Sequence, residues 1–356
     1  MKRMKLSVQH QEAIRSALLA WFRRNARSLP WRRSRDPYAI WVSEVMLQQT
    51  QVANVIPYYQ RFLEAFPTVA DLARAPLERV LKLWSGLGYY RRARHLHQAA
   101  KELVRRFAGR FPRDYERIRS LPGIGDYTAR AILSIAFGLP YTLLDGNVAR
   151  VLSRLATLEG NLHQLSFRRT VEAQLERLLS PRSPGLFNQA LMELGQTLCL
   201  PRAPRCAACP LRSWCRGYKS GQPQLYPKPR PRRAKESHYL AAAILRRGPR
   251  VAMVRGLDDG LLNDLWNFPS AFGRSRAQAL ASLRQKLAAF GSASIALRGP
   301  IAELRHGITY RSIRVHAYPA EIANPPRQRG LRWFPISSLR QAAISQLARK
   351  IAQRVL

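Results

Sequence analysis

Acidic residues are scarce in this 356-residue chain: 21 Asp and Glu stand against 60 Lys and Arg, a formal net charge of +39. Such a surface repels itself unless a polyanion neutralises it, and each phosphate contact releases a counterion. Charge alone therefore points to nucleic acid, with a ribosome-associated protein or a generally basic proteome as the blander explanation. Long apolar runs are also missing. No segment reaches the roughly 18 unbroken apolar residues of a membrane span, and no long apolar run follows the basic start Met1-Lys2-Arg3-Met4-Lys5, as a secretory signal would require. The expectation is a cytoplasmic protein, nucleoid-associated in a bacterium, with no membrane partner. Cysteine is confined to one stretch, all four lying between Cys199 and Cys215. That argues against disulfides stapling distant segments and reads as a metal site in a reducing compartment. There is no internal repeat. Hydrophobic residues make up 46%, enough to exclude wholesale disorder, and the length suits two domains.

Through residue 218 the apolar period is helical. Ile14, Leu18 and Trp21/Phe22 recur at i, i+4 and i+7. Asp36-Pro37 starts a helix, with Asp as N-cap and Pro in the first turn, and that helix is expected to run through Gln49. Further helices are expected over 69–74, 76–84, 91–107, 115–120, 128–137, 148–158, 171–179 and 187–198. Residues 219–237 alternate proline with basic residues, as in Pro227-Lys228-Pro229-Arg230-Pro231, a stiff positive tether. Beyond it the period changes. Strands are expected over 239–245, 251–254 and 308–318 and a helix over 277–290, making 238–356 a second, α+β domain.

Leu121-Pro122-Gly123-Ile124-Gly125, between two short helical stretches near 115–137, has the form of a helix–hairpin–helix. Gly123 and Gly125 permit a tight turn and let the backbone approach a phosphate, at which the second helix points its free amides. No strand precedes it and a third glycine is missing, so it is not a dinucleotide fingerprint. Cys199-x6-Cys206-x2-Cys209-x5-Cys215 supplies four thiolates, which suit zinc or a cubane iron–sulfur cluster. Only one CxxC pair is present, where zinc ribbons use two. Arg202, Arg205, Arg212 and Arg216 make the loop basic. Glu44 sits among Trp41, Val45 and Leu47, where desolvation raises a carboxyl pKa and suits it to general-acid work; in isolation, a partly exposed Glu on an amphipathic helix is the simpler account. Asp145 precedes a helix and can serve both as its cap and as a fixed carboxylate. Tyr89 and Tyr90 stand beside Arg91, Arg92 and Arg94, an aromatic-and-basic group suited to stacking on bases and holding phosphates.

Taken in order, Ser43-Glu44-Val45-Met46-Leu47-Gln48-Gln49-Thr50-Gln51-Val52, Gly86-Leu87-Gly88-Tyr89-Tyr90, the hairpin, Leu144-Asp145-Gly146-Asn147-Val148 and the cysteine loop resemble the adenine DNA glycosylase (MutY) family of the endonuclease III-like superfamily. The resemblance implies a multi-domain protein: an all-α helix–hairpin–helix core over 1–218 with an iron–sulfur loop at 199–215, and a Nudix-like α+β domain. It implies a monomer that hydrolyses the N-glycosidic bond of adenine mispaired with 8-oxoguanine or guanine in double-stranded DNA, the adenine being flipped into a pocket. Glu44 would protonate the leaving base at N7, Asp145 would stabilise the sugar cation, and Asn147 would support them. Arg27, Leu29, Trp31 and Gln189 would form the adenine pocket, and Gln49 and Tyr89 would insert beside 8-oxoguanine. Cys199, Cys206, Cys209 and Cys215 would hold a 4Fe–4S cluster. A purine leaves as a neutral base only if it is protonated, so one raised-pKa acid and one ionised carboxylate are the pair required. Relatives that cut the strand carry a lysine after the hairpin; here the residue is Tyr127, whose hydroxyl forms no Schiff base. Two departures follow. Trp266-Asn267-Phe268-Pro269 resembles a Nudix-like domain, yet 274–290 holds no acid to bind a catalytic metal. Ile308-Thr309-Tyr310 stands where many members have Phe-Ser-His, leaving Thr309 as the hydroxyl that could read the lesion. The competing readings are an endonuclease III-like mismatch or oxidised-pyrimidine glycosylase and a non-catalytic DNA binder.

Overall fold

A computed structural model of the chain describes residues 8–229, 234–255, 265–288, 296–297, 299–308, 310–321 and 330–356. By contact the chain divides into two units, Met1–Arg74 with His95–Pro231, and Ala75–Arg94 with Arg232–Leu356. The helices in chain order are α1 (Val8–Asn25), α2 (Pro37–Leu47), α3 (Val52–Ala65), α4 (Val69–Arg74), α5 (Leu77–Trp84) and α6 (Arg91–Phe107). They continue with α7 (Tyr115–Arg119), α8 (Asp126–Ala131), α9 (Gly146–Ala156), α10 (Leu165–Leu178), α11 (Pro184–Thr197) and α12 (Arg216–Lys219). The second unit adds α13 (Arg276–Ala288) and α14 (Gln346–Val355), with strands β1 (Glu236–Arg247), β2 (Arg250–Val254), β3 (Ser270–Gly273), β4 (Ala296–Leu297), β5 (Ala302–Ile308), β6 (Arg311–Glu321) and β7 (Leu331–Pro335).

In the first unit, α2 is the buried centre. Asp36 caps it by accepting from the Tyr38 amide, and Pro37 follows in the first turn. Every residue from Tyr38 to Met46 is buried, as expected of a helix that is apolar around its circumference. It ends at Leu47, two residues short of the expected Gln49, because Gln48 leaves helical backbone with a ψ of 112° and Gln49 then takes a left-handed φ of 56°. Helix α3 was not anticipated, since Pro57 interrupts its pattern. The proline lies on the exposed face, while Val55, Tyr59 and Phe62 supply the buried stripe. Helix α1 closes onto α9, α10 and α11 around Leu18, Leu152, Val171, Leu175, Phe187 and Leu191. The cysteine loop joins the edge of that core through Leu211, Cys199, Cys209 and Cys215. Between α7 and α8 the hairpin turns at Gly123, whose φ of +72° and collision course with the His95 side chain leave no room for a Cβ. Gly125 caps α8, which runs on into a π-turn over Ile132–Ala136.

The second unit is a mixed sheet ordered β4-β6-β1-β2-β7, with β3 also on β1 and β5 on β6. Strands β1 and β6 run parallel, Leu240 opposite Val315, and the other pairs are antiparallel. One face packs on α13 through Ala241, Ala243, Leu283 and Tyr318. The other packs on α14 through Leu240, Phe268, Ile313, Leu347 and Ile351. Coverage on both faces explains why Leu240–Leu245 is buried without alternation. The expected strand over 308–318 resolves into β6 and the end of its antiparallel partner β5; Thr309 lies outside the described residues, as does Phe290 at the end of the expected helix. Part of the expected tether, 230–233, is likewise outside them, whereas its start packs on the first unit: Lys228 N donates to Gly160 O, and Arg154 Nε donates to Tyr226 O. The segment Ala75–Arg94, expected within the helical core, groups with the sheet unit instead.

Candidate active site

The first unit holds a cavity of about 980 Å³ lined by Arg27, Leu29, Trp31, Glu44, Gln49, Tyr127, Asp145, Asn147 and Gln189. Residues scattered over 160 positions of sequence thus share one wall. Glu44 comes from the buried, mostly apolar α2 and is 9% exposed. Burial raises its carboxyl to about 7; the Asp145 carboxylate pushes the same way, and the Tyr127 hydroxyl partly opposes both. Near neutrality Glu44 therefore populates the protonated form that an acid needs. Tyr127, in the first turn of α8, donates its hydroxyl to Met192 Sδ at 3.2 Å. Its own pKa is driven up by burial and by the two carboxylates.

Asp145 is the N-cap of α9. One of its oxygens accepts from the Val148 amide at 2.7 Å and the other from Asn147 Nδ2 at 2.9 Å. The carboxylate is thus held at a helix N-terminus, where the aligned amides favour negative charge. Asn147 is oriented in turn by Arg150, whose Nη2 donates to Asn147 Oδ1 and to Gly195 O at 2.8 Å each, and whose Nε donates to Cys199 O at 2.8 Å. The apolar part of the wall comes from Leu29 and Trp31, both buried, with Trp31 set edge-on to Tyr59. Gln189 lies on α11, its Nε2 donating to Gly185 O at 3.4 Å.

Two groups went unnoticed in the sequence. Glu193, 1% exposed, accepts from Arg27 Nε at 2.7 Å and from Arg32 Nη2 at 2.8 Å. Burial alone would raise this carboxyl, but the two guanidiniums overcome that and bring it down to about 2. The clue was present: Glu193 stands in the apolar run Ala190-Leu191-Met192-Glu193-Leu194, the signal that marked Glu44. Arg150 gave no such clue, because a basic residue in a chain with 60 of them is unremarkable.

The four cysteines form no disulfide and line one pocket with Arg154, Arg205 and Arg212. Arg154, buried, reaches Cys199 Sγ at 3.4 Å and the Leu200 and Pro201 carbonyls. Burial pushes the Cys209 thiol up to about 12, so a thiolate there needs a compensating cation. Among the described residues no three His, Cys, Asp or Glu side chains close around a single ion. A donor set of four sulfurs fits a multi-iron cluster, which is wider than one ion.

The remaining expected residues lie elsewhere. Gly123 and Gly125 form the hairpin and are not among the cavity's lining residues. Tyr89 belongs to the second unit, where it is 45% exposed with a left-handed φ of 49°. Among the described residues no helix is long and apolar enough to cross a membrane.

Comparison with known proteins gives a consistent picture. Residues 42–181 match the HhH-GPD superfamily base excision DNA repair protein family. An adenine DNA glycosylase of Mus musculus is 36% identical over 95% of this chain and 77% of its own length. The structure of a thermostable thymine-DNA glycosylase is similar with a TM-score of 0.54 at 29% identity, covering 59% of this chain and 97% of that one. A non-covalent endonuclease III–DNA complex is similar with a TM-score of 0.51 at 26% identity, covering 61% and 98%.

Proposed function

The chain belongs to the adenine DNA glycosylase family, base-excision repair enzymes that hydrolyse N-glycosyl bonds, and from that premise we propose that it releases adenine mispaired with 8-oxoguanine or guanine from duplex DNA and leaves the strand uncut. One observation carries the reading: a buried carboxyl that keeps its proton near neutrality, Glu44, shares a cavity with a second carboxyl, Asp145, fixed as a helix cap.

A base can reach this cavity only when flipped from the stack. Leu29 and Trp31 offer it apolar walls, while Arg27, anchored by Glu193, and Gln189 offer polar ones. Glu44 gives its proton to N7 of the adenine. The C1′–N9 bond then breaks, its electron pair leaving with the neutral base. The positive charge left on the sugar faces Asp145, whose oxygens are already held by Asn147 and the Val148 amide and need no rearrangement. Water adds at C1′ and gives up its proton to the Glu44 carboxylate, completing the hydrolysis. Tyr127 occupies the position where a lysine would form a Schiff base, and its hydroxyl lies instead against Met192 and Glu44.

Gln49 and Tyr89 are proposed to insert beside the opposite base. Supporting this, both hold left-handed backbone that non-glycine residues adopt only at a cost of about 1 kcal/mol or more. Thr309 is proposed as the hydroxyl that reads the lesion. Cys199, Cys206, Cys209 and Cys215 are proposed to hold a 4Fe–4S cluster, whose contribution when bound is to cross-link the loop that carries Arg202, Arg205, Arg212 and Arg216 against the DNA. The uncut-strand claim is tested by borohydride trapping on the mispaired duplex. Free adenine with no trapped protein–DNA adduct is expected, and efficient trapping would contradict it.

A further inference from the structure

The loop that carries Tyr89 is strained and heavily fastened. Gly86, Gly88 and Tyr89 have φ of 105°, 78° and 49°. Trp84, fully buried at the end of α5, donates from Nε1 to Gly88 O at 3.1 Å. The Gly86 amide donates to the Tyr90 hydroxyl at 3.2 Å. Arg92 donates to the Gly88 carbonyl at 3.1 Å, and its guanidinium lies 5.4 Å from the centroid of both the Trp84 and Tyr89 rings. A strained conformation persists only where its surroundings over-determine it, and these contacts do so from within the loop.

The loop's base is held from far away in sequence. Ser85, the C-cap of α5, donates its hydroxyl to Ile344 O at 3.2 Å, just before α14. The same hydroxyl accepts from Arg349 Nη2 at 3.0 Å, across 264 positions. Arg349 is itself set by a 2.7 Å bond from Nη1 to Arg340 O. A second link runs from Arg332 to Glu78 on α5 at 3.9 Å. All of these residues lie in the second unit.

We infer that Arg349 is a positioning residue for Tyr89: through Ser85 it fixes the base of the wedge loop, so that discrimination of the base opposite adenine depends on α14. The inference rests on the wedge role proposed above for Tyr89. Arg349 touches neither base nor sugar; its effect passes through the angle at which α5 delivers the loop. Losing a charged hydrogen bond of this kind is worth about a tenfold change in the preference it supports.

The test is single-turnover adenine release opposite 8-oxoguanine and opposite guanine, in the full-length protein, with the ratio of the two rates as readout. Arg349→Ala and Tyr89→Ala should each lower the ratio about tenfold, and the double variant no further than either alone. Ser85→Ala, which removes the hydroxyl at the junction, should lower it in the same direction and decides the matter if Arg349→Ala folds poorly by thermal melt. A role confined to folding would lower both rates together and leave the ratio intact. An unchanged ratio in Arg349→Ala and Ser85→Ala beside a lowered one in Tyr89→Ala overturns the inference, as would effects that multiply in the double variant. If Tyr89→Ala itself leaves the ratio unchanged, the wedge reading fails first and takes the inference with it.

Discussion

Glu44 and Glu193 are both buried carboxyls on helices of one unit, and their surroundings push them in opposite directions. Glu193 faces two guanidiniums and is drawn down to about 2; Glu44 faces apolar side chains and another carboxylate and is raised to about 7. The first is an anchor that stays charged, the second a group that carries a proton. For Glu44 the active form is protonated, so activity is present below about 7 and is lost as pH rises through that value. The alkaline limb of kcat/KM, which reports groups of the free enzyme, should therefore lie near pH 7. Measurement of adenine release from pH 5.5 to 9 checks this; a profile flat to pH 9 would remove Glu44 from the role of acid. Sequence placed Glu44 correctly among apolar neighbours but could not decide between a buried acid and an exposed one. The decision came from α2 being buried on all sides, a property of what packs around it rather than of its own residues.

At the scale of elements, the helix–hairpin–helix offers a test free of folding artefacts. Gly123 cannot be substituted cleanly, because its backbone is left-handed and a Cβ would strike His95. Gly125 is different: an added Cβ would meet nothing within 4 Å. Gly125→Ala should cost the fold no more than about 1 kcal/mol as a changed N-cap. It should still weaken duplex binding severalfold, since the new methyl enters the open space where a phosphate would approach the α8 amides. Equal affinity of variant and wild type, by fluorescence anisotropy titration, would mean that the hairpin does not grip the backbone there. Most elements were legible from periodicity and caps. Helix α3 was hidden by Pro57, which costs an interior hydrogen bond but sits harmlessly on the solvent face. Strand β3 was too short to show a period, and β7 and α14 lie where no motif directed attention.

For the whole molecule, the excess of basic residues pointed to a nucleic-acid partner, and the order of motifs pointed to a family that the comparisons then showed. What the linear sequence concealed was membership. Helix α5 has the same amphipathic pattern whichever unit it packs on, so nothing in 75–94 announces that it groups with residues after 232. The bond from Arg349 to Ser85 is equally invisible before folding, as is the path from Asp145 through Asn147 and Arg150 to the carbonyl of Cys199. The central claim is that Glu44 and Asp145 together excise adenine. It is tested most directly by identifying the base released in a single turnover from duplexes holding adenine opposite 8-oxoguanine, adenine opposite guanine, thymine opposite guanine, or thymine glycol. The account predicts free adenine from the first two, lost by about a thousandfold in Glu44→Gln and strongly reduced in Asp145→Asn; release of a pyrimidine, or adenine release undiminished in both variants, would contradict it.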